Sequence, residues 1–76
     1  MNTLPERKLS IVYGDEIIDF EVLESPSRTQ KILIKVYADC RVVVSTPLNT
    51  DDQTIIEAVK QRSRWIYKQL REFREQ

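Results

Sequence analysis

A strand leads directly into a helix in the segment Arg41-Val42-Val43-Val44-Ser45-Thr46-Pro47-Leu48-Asn49-Thr50-Asp51-Asp52-Gln53. The valine run is β-branched and lacks strict polar alternation, which predicts a strand at an interior position of a sheet, covered on both faces. Pro47 ends this strand because it has no backbone N–H to donate. Thr50 and Gln53 fit a capping box, with the threonine accepting from the third amide and the glutamine reaching back.

The helix that follows carries one apolar stripe. Apolar residues recur there at helical spacing: Ile55, Val59, Ile66, Leu70 and Phe73. This spacing predicts one amphipathic helix packed against the inward face of a sheet. Arg62 falls close to the stripe, and we expect its stem to pack while its charged head reaches water. The sequence does not decide whether Arg62 pairs with an acidic residue such as Glu21 or Glu24.

Three more strands are predicted upstream, over residues 9–13, 18–22 and 31–37. Gly14 and Asp15 favour a tight hairpin turn between the first two. Short connections predict a mostly antiparallel ββββ meander covered on one face by the C-terminal helix. Residues 1–76 are therefore expected to form a single small α+β domain.

Several kinds of site are excluded by composition. The chain has no histidine, one cysteine (Cys40) and one glycine (Gly14), which rules out histidine zinc sites, His-activated nucleophiles and glycine-rich phosphate loops. Acidic pairs occur only where a turn or a helix start explains them. We therefore expect no catalytic residue, no metal site and no cofactor in this chain, and hence no enzymatic activity of its own.

The same composition bears on location. A single cysteine cannot form an internal disulfide, which favours a reducing compartment, and we expect a cytoplasmic protein. Neither a signal peptide nor a run of about 18 apolar residues is present, so no membrane association is expected.

Charge is distributed unevenly along a chain of zero net charge, with acids prevailing up to Pro26 and bases from Lys60 onward. Residues that could contact nucleic acid or another partner follow in the helix: Lys60, Arg64, Trp65, Lys68, Arg71 and Arg74. Arg64, Lys68 and Arg71 fall on one stripe, and basic residues interleaved with aromatics suit phosphates and bases. In the alternative interpretation, Trp65 and Tyr67 close the edges of the core and the bases are simply solvated.

A further alternative is a small protein-interaction domain, in which an edge strand and an exposed Trp65 or Tyr67 bury a partner's surface. Its oligomeric state is open.

A family resemblance emerges from the order of these features. It rests on Ser27-Arg28-Thr29-Gln30-Lys31-Ile32-Leu33-Ile34-Lys35-Val36, on residues 41–47, on residues 55–59 and on Trp65-Ile66. Together they resemble the N-terminal segment of the YgjP-like predicted zinc metallopeptidases, which are related to SprT-type proteases. Arg28, Pro47 and Trp65 match the family pattern, and we interpret them as structural.

The resemblance implies a catalytic half that would follow this segment, with an HExxH helix and a later histidine that bind zinc for peptide hydrolysis. None of those ligands maps onto a residue of this chain. The final helix shows no glycine cap or proline stop. The resemblance therefore predicts a non-catalytic N-terminal accessory domain of a longer protein, a scaffold or substrate-recognition module. Its partner would be the absent C-terminal catalytic domain, and zinc would belong to that half alone.

Overall fold

The computed structural model describes residues 7–24, 26 and 31–75. Its elements are β1 (Arg7–Tyr13), β2 (Glu16–Glu24), β3 (Leu33–Val36), β4 (Val42–Thr46), α1 (Asp52–Gln61) and α2 (Ser63–Arg74). Four strands form one sheet and both helices lie against one of its faces, which confirms the α+β class.

The strand order differs from the predicted meander. The sheet runs β1-β2-β4-β3, with β2 parallel to β4 and the other pairs antiparallel. A meander would have placed β4 at an edge, whereas Val42, Val43 and Val44 are all buried. Insertion of β4 between β2 and β3 gives these valines strand neighbours on both sides, which confirms the predicted interior position in the sheet. The predicted cover on both faces was wrong, because the helices pack against one face only.

Two hairpins supply the four strands. In the first, β1 pairs with β2 through Val12 opposite Ile17, and Gly14 takes the positive φ of 63° that the turn requires. In the second, β3 pairs with β4 and is shorter than predicted. Because side chains alternate across a strand, each strand contributes one apolar row to the side covered by the helices.

The helix start is capped differently from the predicted capping box. Asp51, not Thr50, is the N-cap, and its Oδ1 accepts from the Thr54 amide at 3.2 Å. This hydrogen bond lowers the pKa of the Asp51 carboxyl. The Thr50 hydroxyl instead donates to the carbonyl of Pro47 at 2.8 Å, which closes the turn that leaves β4.

The predicted single helix is broken at Arg62. This residue has φ −106° and ψ 10°, and its amide donates to the Val59 carbonyl at 3.0 Å. The Ser63 hydroxyl donates to the carbonyl of Lys60 at 2.8 Å, a back-bond that competes with regular helical pairing. The Arg62 side chain is exposed.

One core fills the space between the sheet and the helices. Its buried members are Ile11, Ile18, Phe20, Val22, Val42, Val44, Ile55, Val59, Ile66 and Leu70. The helical stripe predicted from spacing supplies Ile55, Val59, Ile66 and Leu70, which confirms the inward direction of these four residues. Phe73, the fifth member of the predicted stripe, is half-buried and lies outside this core cluster. Thr46 is the buried polar residue at the end of β4, at 2% exposure.

Arg7 ties the start of β1 to the start of α1. Its guanidinium lies 2.8 Å from the Glu24 carboxylate and 3.2 Å from that of Asp52, and it donates to the Thr50 carbonyl at 3.0 Å. Glu24, left open as a partner of Arg62, is therefore engaged by Arg7.

Candidate functional site

A groove opens between α2 and the end of β1, with a volume of about 400 Å³. It is lined by Tyr13, Arg64, Tyr67, Lys68, Arg71, Glu72 and Glu75. We call it the α2 groove.

Two tyrosines form the aromatic part of the α2 groove. The rings of Tyr13 and Tyr67 lie with centroids 5.1 Å apart at an interplanar angle of 35°. The Tyr67 hydroxyl donates to Glu16 Oε2 at 3.2 Å, and Arg74 reaches Glu16 Oε1 at 3.5 Å. Glu16 therefore holds Tyr67 in position from the start of β2, beside the ring of Tyr13.

The α2 groove is lined by three cations, which are the three that helical spacing predicts on one stripe. Arg64, Lys68 and Arg71 all line it and all are exposed. Arg71 lies 3.7 Å from Glu75, and both side chains are more than half exposed, so this pair is weak and screened by water. The stripe can therefore meet an external anion with little desolvation.

The remaining residues predicted for this surface lie elsewhere. Trp65 is absent from the groove lining and is 44% exposed. At about 100° per residue it projects about 160° away from Tyr67 around the helix axis. Lys60 is an exposed residue of α1, and Arg74 is engaged by Glu16. Tyr13 and Glu16, which contribute to the groove, were not predicted, because only the tertiary fold brings them to α2.

A second surface is the sheet face opposite the helices, which we call the helix-free face. By strand alternation and register it carries Lys8, Ser10, Val12, Ile17, Asp19, Glu21, Leu23, Leu33, Lys35, Val43 and Ser45. Val12 and Ile17 are neighbours at one end, 69% and 67% exposed, and Leu33 is 58% exposed at the other. These are large exposed fractions for aliphatic side chains.

Charged residues occupy the middle of the helix-free face. Arg41 forms two hydrogen bonds of 3.3 Å to the Glu21 carboxylate, and its guanidinium lies 5.6 Å from the centre of the Tyr37 ring. The hydrogen bond to Glu21 raises the pKa of Arg41. A cleft of about 190 Å³ beside it reaches Cys40, a half-buried thiol whose backbone has φ 72°.

The donor set of this chain does not fit zinc. The sequence has no histidine and one cysteine, and the described residues hold no group of three or more His, Cys, Asp or Glu able to bind a metal ion. Within the same residues, neither helix is long and apolar enough to cross a membrane.

Comparison with protein families gives one match. The family model described as "YgjP-like, metallopeptidase domain" matches residues 30–76, which takes in β3, β4 and both helices. This is more than half of the chain. The chain belongs to the YgjP-like family. No curated protein and no solved structure matches it.

The family is of metallopeptidase type, and the matched region holds two of the three residues that we interpreted as structural. Pro47 is half-buried directly after β4, and Trp65 lies on α2 with nearly half of its surface exposed. The structural interpretation of Pro47 and Trp65 therefore stays a prediction. Arg28 lies outside the described residues.

Proposed function

We propose that this chain is a non-catalytic scaffold module of a YgjP-like metallopeptidase, and that it packs its helix-free face against a catalytic domain in the same polypeptide. A zinc ion would then be held by that domain. The single cysteine suits the reducing cytoplasm, where we place the protein.

The observation that carries the proposal is the helix-free face itself. Exposed aliphatic side chains that gather on one face of a small domain mark interaction surfaces. Val12 and Ile17 form one apolar end, Leu33 marks the other, and the Arg41–Glu21 pair lies between them. A partner domain would cover the apolar ends, and the fixed ion pair would select its orientation.

The alternative to a scaffold module is a substrate-recognition module, in which the helix-free face binds the substrate. The helix-free face is broad and lacks a deep apolar pocket in its described part, and its cleft of about 190 Å³ is small. Small-molecule sites usually enclose about 300–1,000 Å³. A packing surface for a folded domain therefore agrees better with this geometry than a substrate pocket does.

The first test is to read the source DNA beyond the codon for Gln76. We expect the frame to continue into a helix with an HExxH motif and a later histidine. A stop codon at that point would contradict a domain of a longer polypeptide.

The second test compares Ile17→Lys with Leu48→Lys in the longer protein. Both residues are exposed aliphatics, but Leu48 lies in the loop before α1 and belongs to none of the strands that form the helix-free face. In this chain alone we expect both changes to alter stability by less than about 0.5 kcal/mol. In the longer protein we expect Ile17→Lys to lower peptidase activity and thermal stability, and Leu48→Lys to alter neither. Equal effects of the two would overturn the packing role.

The non-catalytic assignment has its own assay. We expect this chain with added zinc to hydrolyse no fluorogenic peptide above the buffer rate. Zinc-dependent hydrolysis that a chelator abolishes would overturn the assignment.

A further inference from the structure

We propose that the α2 groove binds single-stranded nucleic acid, with phosphates on Arg64, Lys68 and Arg71 and a base against Tyr67. This proposal does not depend on the scaffold role, because it uses a different surface.

The local charge supports an anionic ligand. From Lys60 to the end, the chain carries six basic and two acidic side chains, although its net charge is zero. The remaining residues are correspondingly acidic, so the positive charge is concentrated on the helical part. Such a concentration attracts polyanions that the whole molecule, being neutral, would not.

The spacing of the cations suits a strand that runs along the helix. Arg64 and Arg71 are separated by about 10 Å along the axis, at about 1.5 Å per residue. At about 3.4 Å per nucleotide of a stacked strand, this length corresponds to about three nucleotides. One strand laid along α2 could therefore place a phosphate near each of the three cations.

The aromatic part of the groove favours single strands over duplexes. A base of a single strand can lay its ring face against Tyr67, whereas a duplex keeps its base faces stacked inside the helix and exposes only phosphates, sugars and base edges. The Tyr67 ring is already held by Glu16 and packed against Tyr13, so little conformational freedom is lost on binding.

The test is fluorescence anisotropy of this chain with three labelled ligands of equal length at low salt. They are an oligothymidylate, an abasic strand with the same phosphates, and a duplex. We expect the oligothymidylate to bind about tenfold more tightly than the abasic strand, as stacking of one base provides. Three phosphate contacts predict that log affinity falls with log salt at a slope of about −2.

No anisotropy change at about 200 µM protein in low salt would overturn the proposal, since non-specific complexes form below that concentration. Tighter binding of the duplex, or equal binding of the abasic strand, would also overturn it.

Charge-reversal variants locate the site. Lys68→Glu should weaken oligothymidylate binding at least tenfold. Lys35→Glu makes the same charge change on the helix-free face, away from α2, and should weaken it less than twofold. Equal losses would show that binding follows overall charge and would overturn the assignment to the groove.

Tyrosine variants test the stacking. Tyr67→Phe keeps the ring and should keep the preference for thymidylate over the abasic strand. Tyr67→Leu should remove that preference while leaving the salt slope unchanged. Far-UV circular dichroism of each variant establishes that it is folded. A folded Tyr67→Leu protein that retains the preference would overturn the role of this ring.

Discussion

Replacing Thr46 by valine should stabilise the protein. Thr46 ends β4 on the face covered by the helices and is 2% exposed. Its Oγ1 is buried, and among the described residues it has no hydrogen-bond partner. Valine has nearly the same shape and the same β-branched preference for a strand, so the substitution removes a buried polar group without opening a cavity.

The expected gain follows from the state of the hydroxyl. A buried and unsatisfied polar group costs about 1–3 kcal/mol of stability, and an apolar group of the same shape recovers part of this. We expect Thr46→Val to raise the free energy of unfolding by about 1 kcal/mol. In a domain of this size, that gain raises the melting temperature by about 4–8 °C.

Urea titration followed by far-UV circular dichroism measures the change. The midpoint should rise while the slope m stays constant, because the area exposed on unfolding is the same. Thr46→Ser is the matched control: it keeps the hydroxyl, loses the buried methyl group and should lower stability by about 1 kcal/mol. A Thr46→Val protein less stable than the parent would show that the hydroxyl makes a stabilising hydrogen bond, and would refute the reasoning.

Four further substitutions test the packing, the Arg7 ion pairs and the helix cap by the same titration. Ile66→Ala removes a fully buried side chain and should destabilise the protein by about 2–5 kcal/mol. Its control, Leu33→Ala on the helix-free face, should change stability by less than about 0.5 kcal/mol. Similar losses for the two variants would contradict the faces assigned to these residues. Arg7→Gln should cost about 1 kcal/mol, and the loss should shrink in high salt, because the side chain is partly exposed; a salt-independent loss would contradict an ionic origin. Asp51→Ala should destabilise the protein at neutral pH, where the Asp51 carboxylate caps the helix. The folded-state pKa of Asp51 is lowered. The difference in unfolding free energy between variant and parent should therefore vanish as pH falls through that lowered pKa. A difference that persists in acid would show that the carboxylate is not the cap.

Local chemistry was sufficient to predict the strands and the two hairpins, but not how the hairpins join. Alternation and turn residues act between neighbours in the chain, so β1 with β2 and β3 with β4 follow from them. The choice between a meander and the parallel β2–β4 pair depends on burial of the whole sheet. The unbroken valine run of β4 already conflicted with a meander, because the meander exposes one edge of that strand.

For the helical half, the predicted apolar spacing is confirmed, whereas the single unbroken helix and the Thr50 cap were wrong. The inward stripe follows from 3.6 residues per turn, which needs no tertiary information. The break at Arg62 coincides with the hydrogen bond from the Ser63 hydroxyl to the Lys60 carbonyl, and the sequence allows that bond without requiring it. The cap likewise depends on which of two adjacent polar residues reaches the free amides, Thr50 or Asp51.

The sequence predicts the cations of the α2 groove but not its full aromatic part. Helical spacing alone aligns Arg64, Lys68 and Arg71. It also separates Trp65 from Tyr67, since two residues along a helix project to nearly opposite sides. Sequence proximity suggested that both aromatics would accompany the cations. Tyr13 supplies the second ring instead, from the far end of β1, and only packing of α2 against the sheet brings it there.

The two proposed surfaces lie on opposite sides of the sheet, so both can be occupied in one molecule. The α2 groove faces solvent from the helical layer, whereas Ile17 and its neighbours project from the opposite face. Between them lies a core whose central residues are fully buried. Ile17→Lys should therefore leave nucleic-acid binding unchanged, and Lys68→Glu should leave packing against a catalytic domain unchanged. If either change affects both properties, the two surfaces do not act independently, and a single ligand or partner must span the edge formed by β1.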